Sequence, residues 1–254
     1  MSDFDWTSLD HELALWRDRG LALPLWWRDD DAIAPTPQLD RLIALSEQLA
    51  LPVHLAIIPK DATEALVQRC AQTGHIVPVV HGWRHKSHAP ATEKKAEFGA
   101  HRPLADLIAE VEHGLARLNQ LFPDTLAPIF VPPWNRITPD LAPELARLGY
   151  GALSTFTPRR SREAAPGVEQ INTHLDPIDW KGSRSLVAPD RLIAQVARDL
   201  QDRRTGATDN TEPYGVLTHH LVHDDAIWRF TQTLIARLLN GPAQAWTYRK
   251  GHEE

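Results

Sequence analysis

Two histidines four residues apart, His81 and His85, follow one apolar run, and three consecutive carboxylates, Asp29-Asp30-Asp31, follow another. Imidazoles at that spacing can converge on a single ion from a loop or from the first turn of a helix. Two neutral ring nitrogens and one carboxylate leave a coordination position open for water, the arrangement of a catalytic metal site rather than a structural one. Adjacent carboxylates repel, so a fold keeps such a run where water or a cation neutralises it. An exposed acidic turn would meet the same description, but a place at the end of an apolar strand favours the ion. Such an ion would be one redox-silent divalent cation, Zn2+ first, with Ni2+, Co2+ or Mn2+ accepted by the same donors.

Other residues able to do chemistry also follow apolar runs. Pro132-Pro133 remove backbone donors and stiffen the chain, which would hold Trp134 and Asn135 in fixed orientation. Asp176, Asp179 and Trp180 form a further acid and aromatic group, and His219 closes the run before it. His88 and Trp83 lie near enough to the His81–His85 loop to touch a substrate, while His220 and His223 read as supporting or surface residues. The chain has nine tryptophans, and flat faces with a polar edge suit a sugar as well as a core.

The elements that must position these groups alternate. Short apolar runs occur at 23–27, 53–58, 76–80, 128–131, 151–155, 168–171, 214–218 and 245–248. Between most of them apolar residues recur at helical spacing, as in Leu39, Leu42, Ile43, Leu45, Leu49 and in Leu104, Leu107, Ile108, Val111, Leu115, Leu118. Pro35-Thr36-Pro37 and Thr138-Pro139-Asp140 mark helix starts, and Asn240-Gly241-Pro242 marks a stop. Strand then helix, repeated, predicts a parallel sheet, closed as a barrel or open and doubly wound, and either puts reactive groups at the carboxyl ends of the strands. No linker splits the 254 residues, so a single domain over 1–254 is expected.

Composition excludes several classes. A net charge of -6 without a clustered basic patch argues against nucleic acid, and Arg159-Arg160 and Lys94-Lys95 read as solvated surface. The start Met1-Ser2-Asp3-Phe4-Asp5 is acidic and no apolar run is long enough for export or a membrane span, so a cytoplasmic protein is expected. The one cysteine, Cys70, sits in a helical stretch and reads as a packed thiol. No GxSxG, HExxH, GxxxxGK[ST] or GxGxxG motif is present, which weakens serine-hydrolase, zincin and nucleotide-binding readings.

Taken in order, these residues resemble the NodB-homology polysaccharide deacetylases, a family with a distorted (β/α)7-type barrel and short motifs in fixed sequence. The resemblance implies that Asp30-Asp31 supplies a catalytic base and then a metal ligand, although Asp29-Asp30 also fits that register. It implies that His81 and His85 complete the ligand set, and that His219 in Leu217-Thr218-His219 protonates the leaving amine. Asp176, Asp179 and Trp180 match a further motif, and Trp134, Asn135, Trp83, His88, Asp179 and Trp180 are the expected substrate contacts. The chain departs from the pattern at Val131, where the family has an arginine paired with the catalytic acid; Arg28 or Arg136 could stand in for it.

The implied activity is metal-dependent hydrolysis of an acetyl or other acyl group from an N-acetylated sugar or related amide, by water activated at the ion. The substrate would be a small molecule or oligosaccharide, and a sugar carried on a nucleotide or lipid would suit a cytoplasmic address. Hydrolysis of a small or cyclic amide or ester is the alternative among enzymes. A catalytically inactive carbohydrate-binding barrel is the alternative outside them, favoured by Val131.

Overall fold

Strand pairing in this computed structural model, which describes residues 4–248, is parallel almost throughout, and Met1–Asp3 of the acidic start lie outside the described residues. The elements run α1 (Thr7–Asp18), β1 (Leu23–Ala32), α2 (Pro37–Leu49), β2 (Val53–Ile57), α3 (Glu64–Cys70), β3 (Ile76–His81), α4 (Leu104–Leu121), β4 (Ile129–Val131) and β5 (Ala152–Leu153). They continue with β6 (Glu163–Ala165), β7 (Val168–Gln170), α5 (Pro189–Thr205), β8 (Tyr214–Thr218), α6 (Asp225–Leu239) and β9 (Ala243–Ala245). The sheet order is β6-β7-β5-β4-β3-β2-β1-β8, with β9 on the amino-terminal end of β1 and β6 antiparallel to β7.

The two ends of that order meet. Leu175, beyond β7, bridges Val216 of β8 in parallel, with Leu217 N–H donating to Leu175 O at 2.8 Å and His174 N–H to Gly215 O at 2.8 Å. The result is a distorted (β/α)7-type barrel, completed on one side by single bridges instead of a full ladder. Helix punctuation is largely as the sequence implies. Thr36 Oγ1 accepts from Leu39 N–H at 3.0 Å ahead of α2, with Pro37 in the first turn, and Asp224 caps α6 through Ile227 N–H at 2.9 Å. The segment after Thr138-Pro139-Asp140 differs, forming only the 3-10 turn Ala142–Glu144 while still burying Leu141 and Leu145.

Strand alternation sorts the core into two layers. Trp26, Ala56, Val79, Ile129, Val131, Ala152 and Ile171 point inward and form one apolar cluster within the barrel. Leu25, Trp27, Leu55, Val80 and Phe130 point outward and pack under the helices. Trp26 fills the interior because Gly215 opposite it has no side chain. A Cβ at Gly215 would lie 2.4 Å from Trp26 Nε1 and 2.7 Å from Asn172 O, the atom to which that indole donates at 3.1 Å. The strand expected at 245–248 is instead Ala243–Ala245. Trp246 then stacks on His54 and Tyr248 N–H donates to His54 Nε2, lining the barrel at the end opposite the carboxyl ends of the strands.

One reading of the surface changes. Arg159 is buried, with Nε on Asp209 Oδ2 at 2.7 Å and further bonds to Gln170 O and Thr211, so it ties the 158–166 excursion to the loop after α5 and is not a solvated cation. Cys70 is buried as expected, and burial pushes its thiol up to about 11. Among the described residues no helix is long and apolar enough to cross a membrane. Gly215→Ala should lower stability by about 1 to 3 kcal/mol through overpacking against Trp26, measured as a shift in the urea midpoint with m unchanged.

Candidate metal centre and active site

The acids expected after the apolar run 23–27 lie inside β1, which runs on to Ala32. Alternation turns Trp26, Arg28 and Asp30 inward and Trp27 and Asp29 outward. Asp31 would then follow Asp29 outward, but β1 carries an extra residue there. Asp29 pairs with Leu55 and Ala32 with Ile57, so three steps on β1 oppose two on β2, and Asp31 takes the left-handed φ of 79°. This β-bulge brings two successive carboxylates to the inner rim. Asp30 and Asp31 thus reach the rim together, whereas Asp29 turns outward to Thr218 and His220.

Asp31 meets the two histidines. Its Oδ1 lies 3.1 Å from His81 Nε2 and 3.2 Å from His85 Nε2, and the three side chains can each turn one ligand atom to a common point. The Nδ1 of His81 is 3.0 Å from Val131 O, so Nδ1 carries a proton donated to that carbonyl and Nε2 is the ring atom turned to Asp31. Burial opposes the ionised Asp31, but the bond from His81 and the fields of His81, His219 and His85 outweigh it and hold the carboxyl well below the usual range. Burial likewise opposes a charged His81, yet Asp30 and Asp31 raise it, whereas burial and the neighbouring His81 lower His85. A carboxylate and two imidazoles with Nε2 turned to one side, one of them locked in its tautomer by a carbonyl, fit a divalent cation.

The loop carrying His85 depends on a residue that sequence reasoning missed. Glu97 is fully buried and its carboxylate accepts the consecutive N–H groups of Trp83 at 3.3 Å, Arg84 at 2.8 Å and His85 at 3.2 Å. Burial raises its pKa, against the pull of the backbone N–H groups of Arg84, Trp83 and Lys86. The tight approach requires Gly82 at φ 58°, where a Cβ would lie 2.4 Å from Glu97 Oε2 and 2.6 Å from Pro133.

Asp30 has its cation. Arg28, two residues earlier on the same face, forms a two-pronged pair with it, Nε to Oδ1 at 2.9 Å and Nη2 to Oδ2 at 3.0 Å. The remaining donors reach Ser154 Oγ at 2.8 Å, Thr155 O at 3.2 Å and Asn135 Oδ1 at 2.7 Å, so the buried guanidinium is satisfied on every edge. Arg136 does not compete, since it donates to Lys95 O at 2.7 Å. Val131 is buried in the inner apolar cluster and serves the site through its carbonyl alone.

Around this centre Trp134 lies against His85, ring centroids 4.4 Å apart, and both Trp134 (φ 57°) and Asn135 (φ 56°) hold left-handed backbone. His219 meets the edge of Trp180 at 4.7 Å, and Trp180 Nε1 donates to Asp176 Oδ2 at 2.7 Å. Burial raises the pKa of Asp176, with the field of His219 opposing. Three expected substrate contacts stand apart. Asp179 is occupied folding its own loop, accepting from Gly182 and Ser183 N–H, each at 3.1 Å. Trp83 faces His113 of α4 and packs on the outer core, and exposed His88 lies among Arg84, Lys86, Arg102 and Glu110.

Comparison with solved structures yields the same architecture at low sequence identity. A family 4 carbohydrate esterase from Streptomyces lividans, solved with acetate, superposes with a TM-score of 0.57 at 14% identity, covering 89% of this chain and 92% of that one. A Streptococcus mutans CE4 esterase gives 0.55 at 9%, covering 86% and 81%. The peptidoglycan deacetylase PdaC of Bacillus subtilis gives 0.51 at 13%, covering 88% and 87%. The chain has the polysaccharide-deacetylase fold. No protein-family model and no curated protein matches it. On that deacetylase fold Asp31, His81 and His85 stand at the carboxyl ends of β1 and β3, the rim where an α/β barrel carries its chemistry. Elemental analysis after dialysis against Zn2+ should find one ion per chain in the wild type, and less than a tenth of that in His81→Ala; equal metal in both would refute the ligand set.

Proposed function

We propose that the chain is a divergent member of the polysaccharide-deacetylase family, a metal-dependent hydrolase that removes an acetyl or related acyl group from an N-acylated sugar or similar amide. The observation that carries this reading is the meeting of Asp31, His81 and His85 beside a separate carboxylate, Asp30, that is already paired and oriented by Arg28. Asp31, His81 and His85 would hold the ion. A bound Zn2+ or similar cation supplies Lewis acidity, making water more acidic and drawing charge from the acyl oxygen.

The chain's own residues divide the proton transfers. Asp30 accepts a proton from the attacking water, and Arg28 keeps its carboxylate aimed. His219 gives a proton to the departing nitrogen, which is too basic to leave as an anion. The Trp134 N–H, the first donor after Pro132-Pro133, would polarise the acyl oxygen as negative charge grows there. Trp134 beside His85 and Trp180 beside His219 would offer the flat faces a pyranose ring stacks on. The pairing of Arg28 with Asp30 removes the ground for an inactive binding module, because the arginine absent at Val131 is supplied from β1. In a cytoplasmic setting the substrate class would be a sugar carried on a nucleotide or lipid.

Incubated with Zn2+, the protein should release acetate from at least one of a panel of N-acetylated and O-acetylated sugars, and a chelator should abolish the release. No chelator-sensitive acetate from any of them would end the reading. Asp30→Asn should lower kcat by about 100-fold or more, the scale of general acid–base catalysis, with metal content retained.

A further inference from the structure

Asp29 and His223 have no part in the proton transfers above, yet both pack against the loop that carries His219, Asp29 buried and His223 half-buried. Asp29 is fully buried, and its Oδ2 accepts Thr218 Oγ1 at 2.6 Å and the backbone N–H of His220 at 3.0 Å. Its Oδ1 is held by His220 Nδ1, and Trp27 Nε1 closes the group by donating to Thr218 Oγ1 at 2.8 Å. On the other side the backbone N–H of His219 donates to His223 Nε2 at 3.2 Å. The ring of His223 is fixed against Trp228 at 4.6 Å, and burial pulls its pKa down to about 4, so it stays neutral and keeps the lone pair that accepts this bond. The carbonyl of His219 takes Val222 N–H at 3.0 Å.

Both peptide groups that flank His219 are thus tied, one by His223 and the other by Asp29. With those planes fixed, φ (−142°) and ψ (84°) of His219 are fixed as well, and only rotation about its side-chain bonds remains. That rotation is limited by the edge of Trp180. We infer that Asp29 and His223 form a clamp that positions His219 for proton donation to the leaving group. Asp29 does so from β1, the strand that carries Asp30 and Asp31, so acid, base and metal ligand are referred to one backbone segment. His220 serves as the clamp's second hold on Asp29.

The inference rests on His219 acting as the acid, and its test separates the two. An amide nitrogen must be protonated to leave, whereas 4-nitrophenolate leaves without help, so a misplaced acid harms the first reaction and spares the second. Wild type, Asp29→Asn and His223→Leu, each loaded with Zn2+, would be assayed on an N-acetylated sugar and on 4-nitrophenyl acetate. Amide hydrogen exchange at His219 and His220 would be read alongside. Each variant should lower kcat on the sugar by about 10- to 100-fold, the cost of a small misplacement, with KM, metal content and ester turnover unchanged. Exchange should speed up at the amide whose acceptor was altered.

His223→Gln, which retains an acceptor, should recover most of the loss, and in a His219→Ala background Asp29→Asn should have no further effect. Equal losses on sugar and ester, unchanged exchange, or a full additional loss in the His219→Ala background would overturn the clamp. A wild type that cleaves the ester but no acetamide would instead overturn His219 as the acid, and the clamp with it.

Discussion

One residue inserted in β1 governs the disposition of charge in this barrel. A strand alternates its side chains with a period of two, so of three consecutive acids the first and third share a face. The extra residue between Asp29 and Ala32 breaks that rule and leaves Asp31 on the inner rim beside Asp30. A non-glycine residue at φ 79° costs roughly 1 to 3 kcal/mol, and it persists only where the surroundings over-determine it. Here they do, because β1 is hydrogen-bonded to β2 on one side and to β8 and β9 on the other, and nearly every side chain along it is buried.

The bulge also explains how three adjacent carboxylates coexist in a dry place. Each faces a different direction and meets a different partner: Asp29 the imidazole of His220, Asp30 the guanidinium of Arg28, Asp31 the ring nitrogens of His81 and His85. Buried ion pairs are poor sources of net stability, since desolvation offsets most of their attraction, but removing one partner leaves the other charge stranded at a cost of about 3 to 5 kcal/mol. Such pairs hold geometry more than they hold the fold. The same economy extends outward from Arg28, through Thr155 to Asn172 and on to Glu212, whose carboxylate accepts from Asn172 N–H and His174. A polar seam therefore runs from the base down the side of the barrel where single bridges replace a ladder.

What sequence could show follows from what is local. His81 and His85 were legible because their spacing and their place after an apolar run are local facts, and the strand-helix alternation gave the parallel sheet for the same reason. Asp31 can be read as a candidate ligand from its place after an apolar run, but the bulge that turns it toward His81 and His85 cannot, because an inserted residue has no signature apart from its pairing partner. Glu97 was invisible: in Lys94-Lys95-Ala96-Glu97 it reads as one more surface charge, and only the tertiary fold turns it under the N–H groups of 83–85. Asp179 and His88 show the same limit from the other side. A motif position and a nearby histidine suggested substrate contact, yet Asp179 is consumed by its own turn and His88 lies out among charged side chains.

The position of the arginine shows how such a site tolerates divergence. What the carboxylate of Asp30 requires is a planar cation presenting two parallel donors, not a cation from a particular strand. Supplied from β1, the guanidinium is only two residues from its partner, so their pairing is set by one strand and does not depend on how the loop after β4 sits. That loop is then free to end β4 with Val131, whose side chain completes the inner apolar cluster while its carbonyl orients His81. The link between the two strands is nevertheless kept, because Asn135 Oδ1 accepts from Arg28 Nη2 at 2.7 Å. The β4 loop thus serves as an acceptor, and Asn135, next to Trp134 in the chain, is anchored to the same guanidinium that pairs with Asp30.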